Sequence, residues 1–395
     1  MTTGSKSRRS FVAAHLQGIP RSGIRDFFDI VANRKDVISL GIGEPDFATP
    51  WHIRETAIAA IEQGATRYTG NLGTPELRQA IAQYVARAYG PEYDWQKEIL
   101  VTVGVSESMD LAFRAVIAPG DEVLYHEPSF VAYAPLIRMA HGVPVPVATT
   151  AADGFRLRVA DLEARVTART RALLLNFPTN PTGAALRRAD VDALAAFAVK
   201  HDLLVITDEV YSELTYDGER ASIAAAPGMR ERTIFLNGFS KAWSMTGFRL
   251  GFACAPNEMI EAMMKIHQYC MMCASSISQR AGVEALKRGA EDIAEMRESY
   301  RLRRNYVCAA LNDMGLACRV PEGAFYVFPS IRATGLSSHD FAMRLLDQES
   351  VACVPGTAFG ACGEGFVRCC YATSLEQLKE AMVRMARFVA KVKET

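Results

Sequence analysis

Residues 233–254 read TIFLNGFSKAWSMTGFRLGFAC, and this stretch decides the fold that we predict. Two apolar runs, 233–236 and 250–253, enclose a polar turn that carries one lysine. Similar apolar runs occur earlier in the chain, at 99–103, 122–125, 172–175 and 203–206. Helical patterns lie between many of them, at 107–118, 189–201 and 257–269. Continuous apolar strands that alternate with helices predict an α/β fold with a mostly parallel sheet, covered on both faces.

The C-terminal part of the chain shows a different pattern of short strands and longer helices. It contains helical stretches at 291–312 and 339–347, apolar runs at 323–328, 351–354 and 365–371, and an amphipathic helix from Ser374 onward. That mixture predicts a separate α+β domain. We therefore divide the chain into an N-terminal arm with part of the small domain (1–48), a large domain (49–295) and a small C-terminal domain (296–395).

The composition excludes several classes of function. The 395 residues include 44 basic and 44 acidic side chains, and this neutral balance argues against nucleic acid as a partner. No long apolar run occurs, so we expect neither a membrane span nor a secretory signal, and we predict a cytoplasmic protein. The nine cysteines are interpreted as reduced, packed thiols, with a metal or redox role for Cys270-x-x-Cys273 as the alternative.

Polar residues follow successive strands at the points where the strands end. The segments are Gly104-Val105-Ser106, Glu127-Pro128-Ser129-Phe130, Asn176-Phe177-Pro178-Thr179-Asn180-Pro181-Thr182-Gly183, Asp208-Glu209-Val210-Tyr211 and Asn237-Gly238-Phe239-Ser240-Lys241. Ligands of open α/β sheets bind beyond the carboxyl ends of the strands. We therefore predict that these segments form one active site.

Three of these segments suggest the same cofactor. Gly104-Val105-Ser106 opens a helix, whose free N–H groups bind anions such as phosphate. Lys241 lies beside a turn of small residues and can act as a Schiff-base nucleophile. Asp208 can pair with a protonated ring nitrogen. An anion cradle, an imine lysine and a pyridinium partner together fit pyridoxal 5'-phosphate (PLP).

The chain resembles the class I and II aminotransferases, PLP enzymes of fold type I, from Ser22 to the last helix. Its lysine motif is SKAWSMTGFRLG at 240–251, and GEPDF at 43–47, NPTG at 180–183 and DEVY at 208–211 match in the family's order. The likeness is strongest to prokaryotic aspartate and aromatic aminotransferases. It implies a large domain with a mostly parallel seven-stranded sheet and a smaller α+β domain.

The resemblance assigns the cofactor contacts. Lys241 would hold PLP as a Schiff base and then move the proton between the substrate Cα and the cofactor. Asp208 would pair with the pyridine nitrogen and keep the ring protonated. Asn180 and Tyr211 would hydrogen-bond the ring's 3-oxygen. The remaining contacts would be a stacking aromatic ring and ligands of the phosphate, namely Phe130, Arg249, Gly104, Val105, Ser106 and Ser240.

The resemblance also implies the substrate contacts. Arg368 would hold the α-carboxylate of the amino acid in bidentate geometry, with Gly43 closing over it. Asn180 and Phe130 would also contact the substrate. Tyr68 would reach the phosphate in a partner subunit, so we expect a homodimer with shared active sites and no metal.

Some of these positions depart from the family or have simpler interpretations. Gly238 stands where a phosphate-binding serine is common, and Ser240 is the expected substitute. Phe130 stands where tryptophan is common. A structural ion pair is the alternative for Arg368. Aromatic core packing is the alternative for Tyr68.

We predict ping-pong transamination from an L-amino acid, aromatic or aspartate-like, to a 2-oxo acid such as 2-oxoglutarate. Alanine and methionine stay open as donors. A C–S lyase or another elimination enzyme on the same fold is the main alternative. A regulator that keeps the fold as a ligand-binding module is a second alternative, and it normally carries an N-terminal DNA-binding domain, for which we expect no room.

Overall fold

The computed structural model describes residues 11–19, 21, 34 and 36–394, and Ser22, where the resemblance begins, lies outside the described residues. The helices are α1 (Ala14–Gln17), α2 (Trp51–Glu62), α3 (Pro75–Tyr89), α4 (Gly104–Val116), α5 (Tyr133–Met139), α6 (Val159–Glu163), α7 (Arg188–Lys200), α8 (Asn257–Cys270), α9 (Ser276–Arg288), α10 (Ala290–Asp313), α11 (Ser338–Glu349) and α12 (Leu375–Lys393). The strands are β1 (Ile38–Ser39), β2 (Ile99–Thr102), β3 (Glu122–Glu127), β4 (Val143–Ala148), β5 (Thr170–Asn176), β6 (Leu204–Asp208), β7 (Thr233–Gly238), β8 (Gly251–Cys254), β9 (Tyr326–Val327), β10 (Val351–Ala352), β11 (Val354–Pro355) and β12 (Val367–Cys370).

A seven-stranded sheet forms the centre of the large domain, in the order β2-β8-β7-β6-β5-β3-β4. The pairs β3–β4, β3–β5, β5–β6 and β6–β7 are parallel, whereas β8 runs antiparallel to β2 and β7. Strands β2, β7 and β8 are buried along their whole length, which explains their continuous apolar sequences. The predicted α/β fold with a mostly parallel sheet is confirmed.

The edge strand β4 was not predicted from the sequence. Its residues read VPVPVA, and the two prolines, Pro144 and Pro146, interrupt what would otherwise be an apolar run. Proline cannot donate a ladder hydrogen bond, so it is tolerated at an edge strand, where one side lacks a partner strand. Strand β4 pairs only with β3 and ends the sheet.

The small domain contains a three-stranded antiparallel sheet in the order β11-β12-β9. Helices α10, α11 and α12 share one buried apolar cluster with this sheet. Strand β1 pairs in parallel with β10, so that Ile38 lies opposite Val351. This pairing supports placing part of the opening segment in the small domain, and the boundaries after residues 48 and 295 remain predictions.

The parallel strands end at one edge of the large sheet. Strand β5 ends at Asn176, β6 ends at Asp208, and β2 leads directly into α4 at Gly104. The small domain meets this edge, because Arg368 on β12 donates a hydrogen bond to Asn180. Among the described residues, no helix is long and apolar enough to cross a membrane.

Candidate active site

A cavity of about 430 Å³ lies between the carboxyl edge of the large sheet and the small domain. Most of the predicted site residues line it, together with several that we did not predict. The predicted residues that line the cavity are Gly43, Val105, Ser106, Phe130, Asn180, Asp208, Tyr211, Ser240, Lys241, Arg249 and Arg368. Side chains that follow different strands therefore converge on one space, as the strand-end argument requires.

Lys241 lies in the turn after β7, and its half-buried side chain lines the cavity. Its Nζ donates a hydrogen bond of 2.7 Å to the carbonyl oxygen of Gly43. The rings of Tyr211 and Phe325 lie 5.8 and 5.7 Å from Nζ. Burial disfavours the charged ammonium and lowers the pKa of Lys241 to about 8. A sizeable fraction of the amine is therefore neutral near physiological pH, and a neutral amine can act as a nucleophile or a base.

Asp208 ends β6 on the floor of the cavity. Its Oδ2 accepts a hydrogen bond of 2.8 Å from the hydroxyl of Tyr133, and its Oδ1 accepts one of 3.2 Å from the N–H of Val210. Burial raises the pKa of Asp208 to about 6, although both hydrogen bonds favour the ionised form. At neutral pH a buried carboxylate therefore faces the cavity, ready to pair with a protonated ring nitrogen.

Two supporting residues received no role in the sequence analysis: Tyr133 was missed, and Asn176 was only placed in a strand-end segment. The Asn176 side chain donates 3.0 Å to the backbone oxygen of Asp208 and accepts 3.2 Å from the N–H of Asn180. Tyr133 lies three residues after Phe130, and the two rings contact each other edge to face at 5.7 Å. Phe130 precedes α5, which begins at Tyr133, so nearness in sequence to a predicted site residue was the available signal.

The start of α4 forms a cradle with the correct shape and charge for a phosphate. Gly104 has a φ of +77°, and a Cβ there would lie 2.6 Å from Nη2 of Arg249. A Cβ on Gly251 would lie 2.6 Å from the backbone of Gly104, so both glycines are required by close approach. Free helix N–H groups and a guanidinium thus face the same end of the cavity, which fits a dianionic phosphate.

Gly238, where the family commonly has a serine, is explained by packing. A Cβ at this position would lie 2.8 Å from Cγ2 of Val105 and 3.1 Å from the oxygen of Leu250. A serine would therefore displace the first turn of α4. Ser240 lines the cavity, so its hydroxyl, like that of Ser106, is available to a phosphate.

Arg368 is only 2% exposed. Its Nη1 donates 2.9 Å to Oδ1 of Asn180, and its Nη2 donates to the oxygen of Gly41. The rings of Tyr326 and Phe359 lie 4.5 and 4.9 Å from the guanidinium carbon. Within the described part of the chain, Nε has no hydrogen-bond partner and no carboxylate pairs with the guanidinium. A buried positive charge without a carboxylate partner favours the binding of a carboxylate ligand. This supports the substrate-binding interpretation of Arg368 over a structural ion pair.

Tyr68 does not reach the cavity of its own chain. Its side chain is 81% exposed, so core packing does not explain it. Gly104 contacts Arg249 but does not itself line the cavity. These are the two predicted site residues that one chain does not bring to the cavity wall.

The Cys270-x-x-Cys273 pair lies away from this cavity, at the end of α8. Cys270 is exposed and Cys273 is partly buried, and both are free thiols. Over residues 36–394 and the described positions before them, no group of three or more His, Cys, Asp or Glu side chains is arranged to hold a metal ion.

Comparison with known proteins shows which protein family has this sequence and fold. The model of the family described as "Aminotransferase class I and II" matches residues 35–385. A putative aminotransferase of Bacillus subtilis, YugH, is 53% identical over 97% of this chain and 99% of its own length. An aspartate aminotransferase of Pyrococcus abyssi is 48% identical over 95% of this chain and 97% of its own length. The crystal structure of an aromatic aminotransferase from Pyrococcus horikoshii superposes with a TM-score of 0.90 at 47% identity, covering 94% of this chain and all of that one.

Proposed function

We propose how this chain, which belongs to the class I and II aminotransferase family and is a PLP-dependent aminotransferase, carries out transamination. When bound, PLP withdraws electrons from the amino acid and makes its α-proton acidic. The observation that carries the mechanism is the presence of two basic groups, the half-buried Lys241 and the buried Arg368, in one cavity with the carboxylate of Asp208.

The residues of the cavity fit the cofactor. Asp208 would hold the ring nitrogen in its protonated form, because an ionised carboxylate stabilises a pyridinium. Arg249 and the start of α4 would bind the phosphate, and Phe130 would stack on the ring. Tyr211 and Asn180 would donate hydrogen bonds to the 3-oxygen.

Lys241 would attach the cofactor and transfer a proton, and Arg368 would bind the substrate. Lys241 would attach the cofactor covalently through Nζ. Once released, its neutral Nζ would accept the proton from the substrate Cα, since its depressed pKa leaves a usable fraction of neutral amine. Arg368 would bind the α-carboxylate through Nε and one outward N–H, and Asn180 would hold the guanidinium in place. Packing of Phe359 and Tyr326 on the guanidinium excludes water from it.

The class of amino donor has to be inferred from the cavity, because relatives carry the names of both aspartate and aromatic aminotransferases. Among the described lining residues the cations are Lys241, Arg249 and Arg368, and each already has a role. Much of the remaining wall is apolar, with Ile42, Val105, Met109 and Leu136. We therefore propose an aromatic or other uncharged donor, with a 2-oxo acid as acceptor. If the acceptor is 2-oxoglutarate, its second carboxylate would need a cation from outside the described part of one chain.

A panel of amino donors followed at the absorbance band of the bound cofactor tests this proposal. Aromatic donors should convert the band without an acceptor and leave pyridoxamine phosphate, whereas a C–S lyase would release pyruvate and ammonia. If no donor converts the band, the proposed mechanism is wrong. If aspartate is used as efficiently as aromatic donors, a cation from outside the described part of one chain completes the site.

Variants at Lys241 test its assignment. Lys241→Ala should retain non-covalent PLP binding and lose turnover, while Lys379→Ala, an exposed lysine on α12, should leave turnover unchanged. Full turnover in Lys241→Ala would contradict the assignment.

We further propose a homodimer whose partner subunit contributes Tyr68. This ring is exposed, and other exposed apolar side chains, Trp51, Ile58 and Ile61, lie on the nearby α2. If the sites are shared, mixing Lys241→Ala subunits with Tyr68→Ala subunits restores activity, because one site of each hybrid has both wild-type residues. If the sites are not shared, the mixture is no more active than its parents. A cytoplasmic location remains a prediction.

A further inference from the structure

We propose that Tyr326 is a positioning residue for transamination, whose hydroxyl donates to Tyr211 and so directs the Tyr211 proton toward the cofactor. This inference rests on the proposed role of Tyr211 at the 3-oxygen of PLP. Tyr326 lies on β9 of the small domain and is buried. Its side chain contacts groups that serve both the cofactor and the substrate.

The hydroxyl of Tyr326 lies 2.8 Å from the hydroxyl of Tyr211. Burial raises the pKa of both phenols, so both are protonated at neutral pH and each has one proton to donate. If Tyr211 donates to the 3-oxygen, it must accept from Tyr326. Accepting a hydrogen bond also makes a hydroxyl a stronger donor, because successive hydrogen bonds polarise one another.

The same hydroxyl explains Gly43 in the GEPDF motif. A Cβ on Gly43 would lie 2.3 Å from Oη of Tyr326. The carbonyl oxygen of Gly43 accepts the hydrogen bond from Lys241. Tyr326 therefore packs against the segment that orients the catalytic lysine, and a larger residue at position 43 would push the hydroxyl away from Tyr211.

The ring of Tyr326 has a separate contact. The guanidinium carbon of Arg368 lies 4.5 Å from the ring centroid, within the range of a cation–π interaction. One side chain thus joins the small-domain arginine that would bind the substrate to the large-domain tyrosine that would bind the cofactor. The hydroxyl and the ring can be removed one at a time.

Absorbance titration of the holoenzyme tests the role of the hydroxyl. A hydrogen bond donated to the 3-oxygen stabilises its anionic form and lowers the pH midpoint of the cofactor's visible absorbance change. Tyr326→Phe should raise that midpoint by about half a pH unit, since it weakens this hydrogen bond without removing it. Tyr211→Phe should raise it further, and Tyr326→Phe should add little in that background.

Tyr371→Phe is the matched control. Tyr371 is also a buried tyrosine of the small domain, and its hydroxyl donates 3.0 Å to the oxygen of Ala324 without contacting a predicted site residue. It should lower the melting temperature as Tyr326→Phe does and leave the midpoint unchanged. Gly43→Ala displaces the Tyr326 hydroxyl by a second route and should raise the midpoint even if Tyr326→Phe folds poorly.

Steady-state kinetics test the role of the ring. Tyr326→Phe keeps the ring and should change the KM for the amino donor by less than about twofold, whereas Tyr326→Leu should raise it by about tenfold. The inference is wrong if Tyr326→Phe leaves the midpoint at the wild-type value, or if Tyr371→Phe shifts it equally. If Tyr211→Phe also leaves the midpoint unchanged, the proposed role of Tyr211 itself fails.

Discussion

Replacement of Arg368 by lysine tests how much the guanidinium contributes to substrate binding. The change keeps the positive charge and removes the planar fork. In the structure Nη1 and Nη2 each use one N–H on Asn180 and Gly41, which leaves three of the five N–H groups, that of Nε among them, from which a carboxylate could take two. A lysine ammonium can replace one of those two hydrogen bonds. Losing the other removes one bond to a charged group, about 1.5–3 kcal/mol, and so raises the KM for the amino donor by about 10- to 150-fold.

The assay is the half-reaction with a single amino donor, followed at the absorbance of the bound cofactor. The dissociation constant of PLP, measured in parallel, should change by less than about twofold, because Arg368 would contact the substrate and not PLP. Arg304→Lys is the control. Arg304 is a buried small-domain arginine that donates 2.9 Å to Pro321 and pairs with Asp217, outside the cavity. It should lower the melting temperature without changing the KM.

Two results would refute the reasoning. A rise in KM of less than about threefold for Arg368→Lys would mean that the guanidinium does not bind the α-carboxylate in a bidentate manner. A loss of PLP affinity equal to the rise in KM would mean that Arg368 supports the site as a whole, which is the structural interpretation.

Three further predictions follow from buried titratable groups. Tyr133→Phe removes the hydroxyl that donates to Asp208, so the pKa of Asp208 should rise above its value of about 6, and PLP affinity at pH 7, measured by fluorescence quenching, should fall about tenfold; unchanged affinity would contradict this. The pKa of His52 is lowered by burial but raised overall by its two carboxylate partners, so its ion pairs stabilise the fold below the ordinary imidazole value and are lost as pH rises through the raised value. The melting temperature of His52→Gln should therefore lie further below wild type at pH 6 than at pH 9, and an equal gap at both would refute the assignment. Burial raises the pKa of Glu209 to about 7, although three hydroxyl groups donate hydrogen bonds to its carboxylate. The folded protein therefore loses stability as the pH rises from the ordinary carboxyl pKa through 7. Glu209→Gln should have a higher melting temperature than wild type at pH 8.5 but not at pH 5.

Much of the fold was predictable because buried parallel strands leave a simple trace in the sequence. Six strands of the large sheet occur within a few residues of the predicted apolar runs. Strand β4 was not predicted because the prolines of its sequence, VPVPVA, interrupt the apolar run. Proline is tolerated there because β4 is an edge strand, and that position is a property of the assembled sheet.

The candidate site divides in the same way. Lys241, Asp208 and Asn180 follow strand ends or lie in local motifs, so their convergence could be predicted from the direction of parallel strands. Tyr326 could not be found by this reasoning, because it lies on another sheet 115 positions along the chain from Tyr211 and meets it only through domain packing. Tyr133 had only a weak local signal, its nearness in sequence to Phe130.

The amino-acid sequence by itself determined the parallel sheet, the PLP chemistry and the lysine that would carry it, because strand patterns and strand-end motifs are local. The tertiary structure alone decided the properties that depend on burial and long-range contact. It desolvates Lys241 enough to lower its pKa to about 8 and leaves Arg368 without a carboxylate partner among the described residues. Solvent exclusion and the approach of distant side chains set both properties, since they act through space and leave no pattern along the chain.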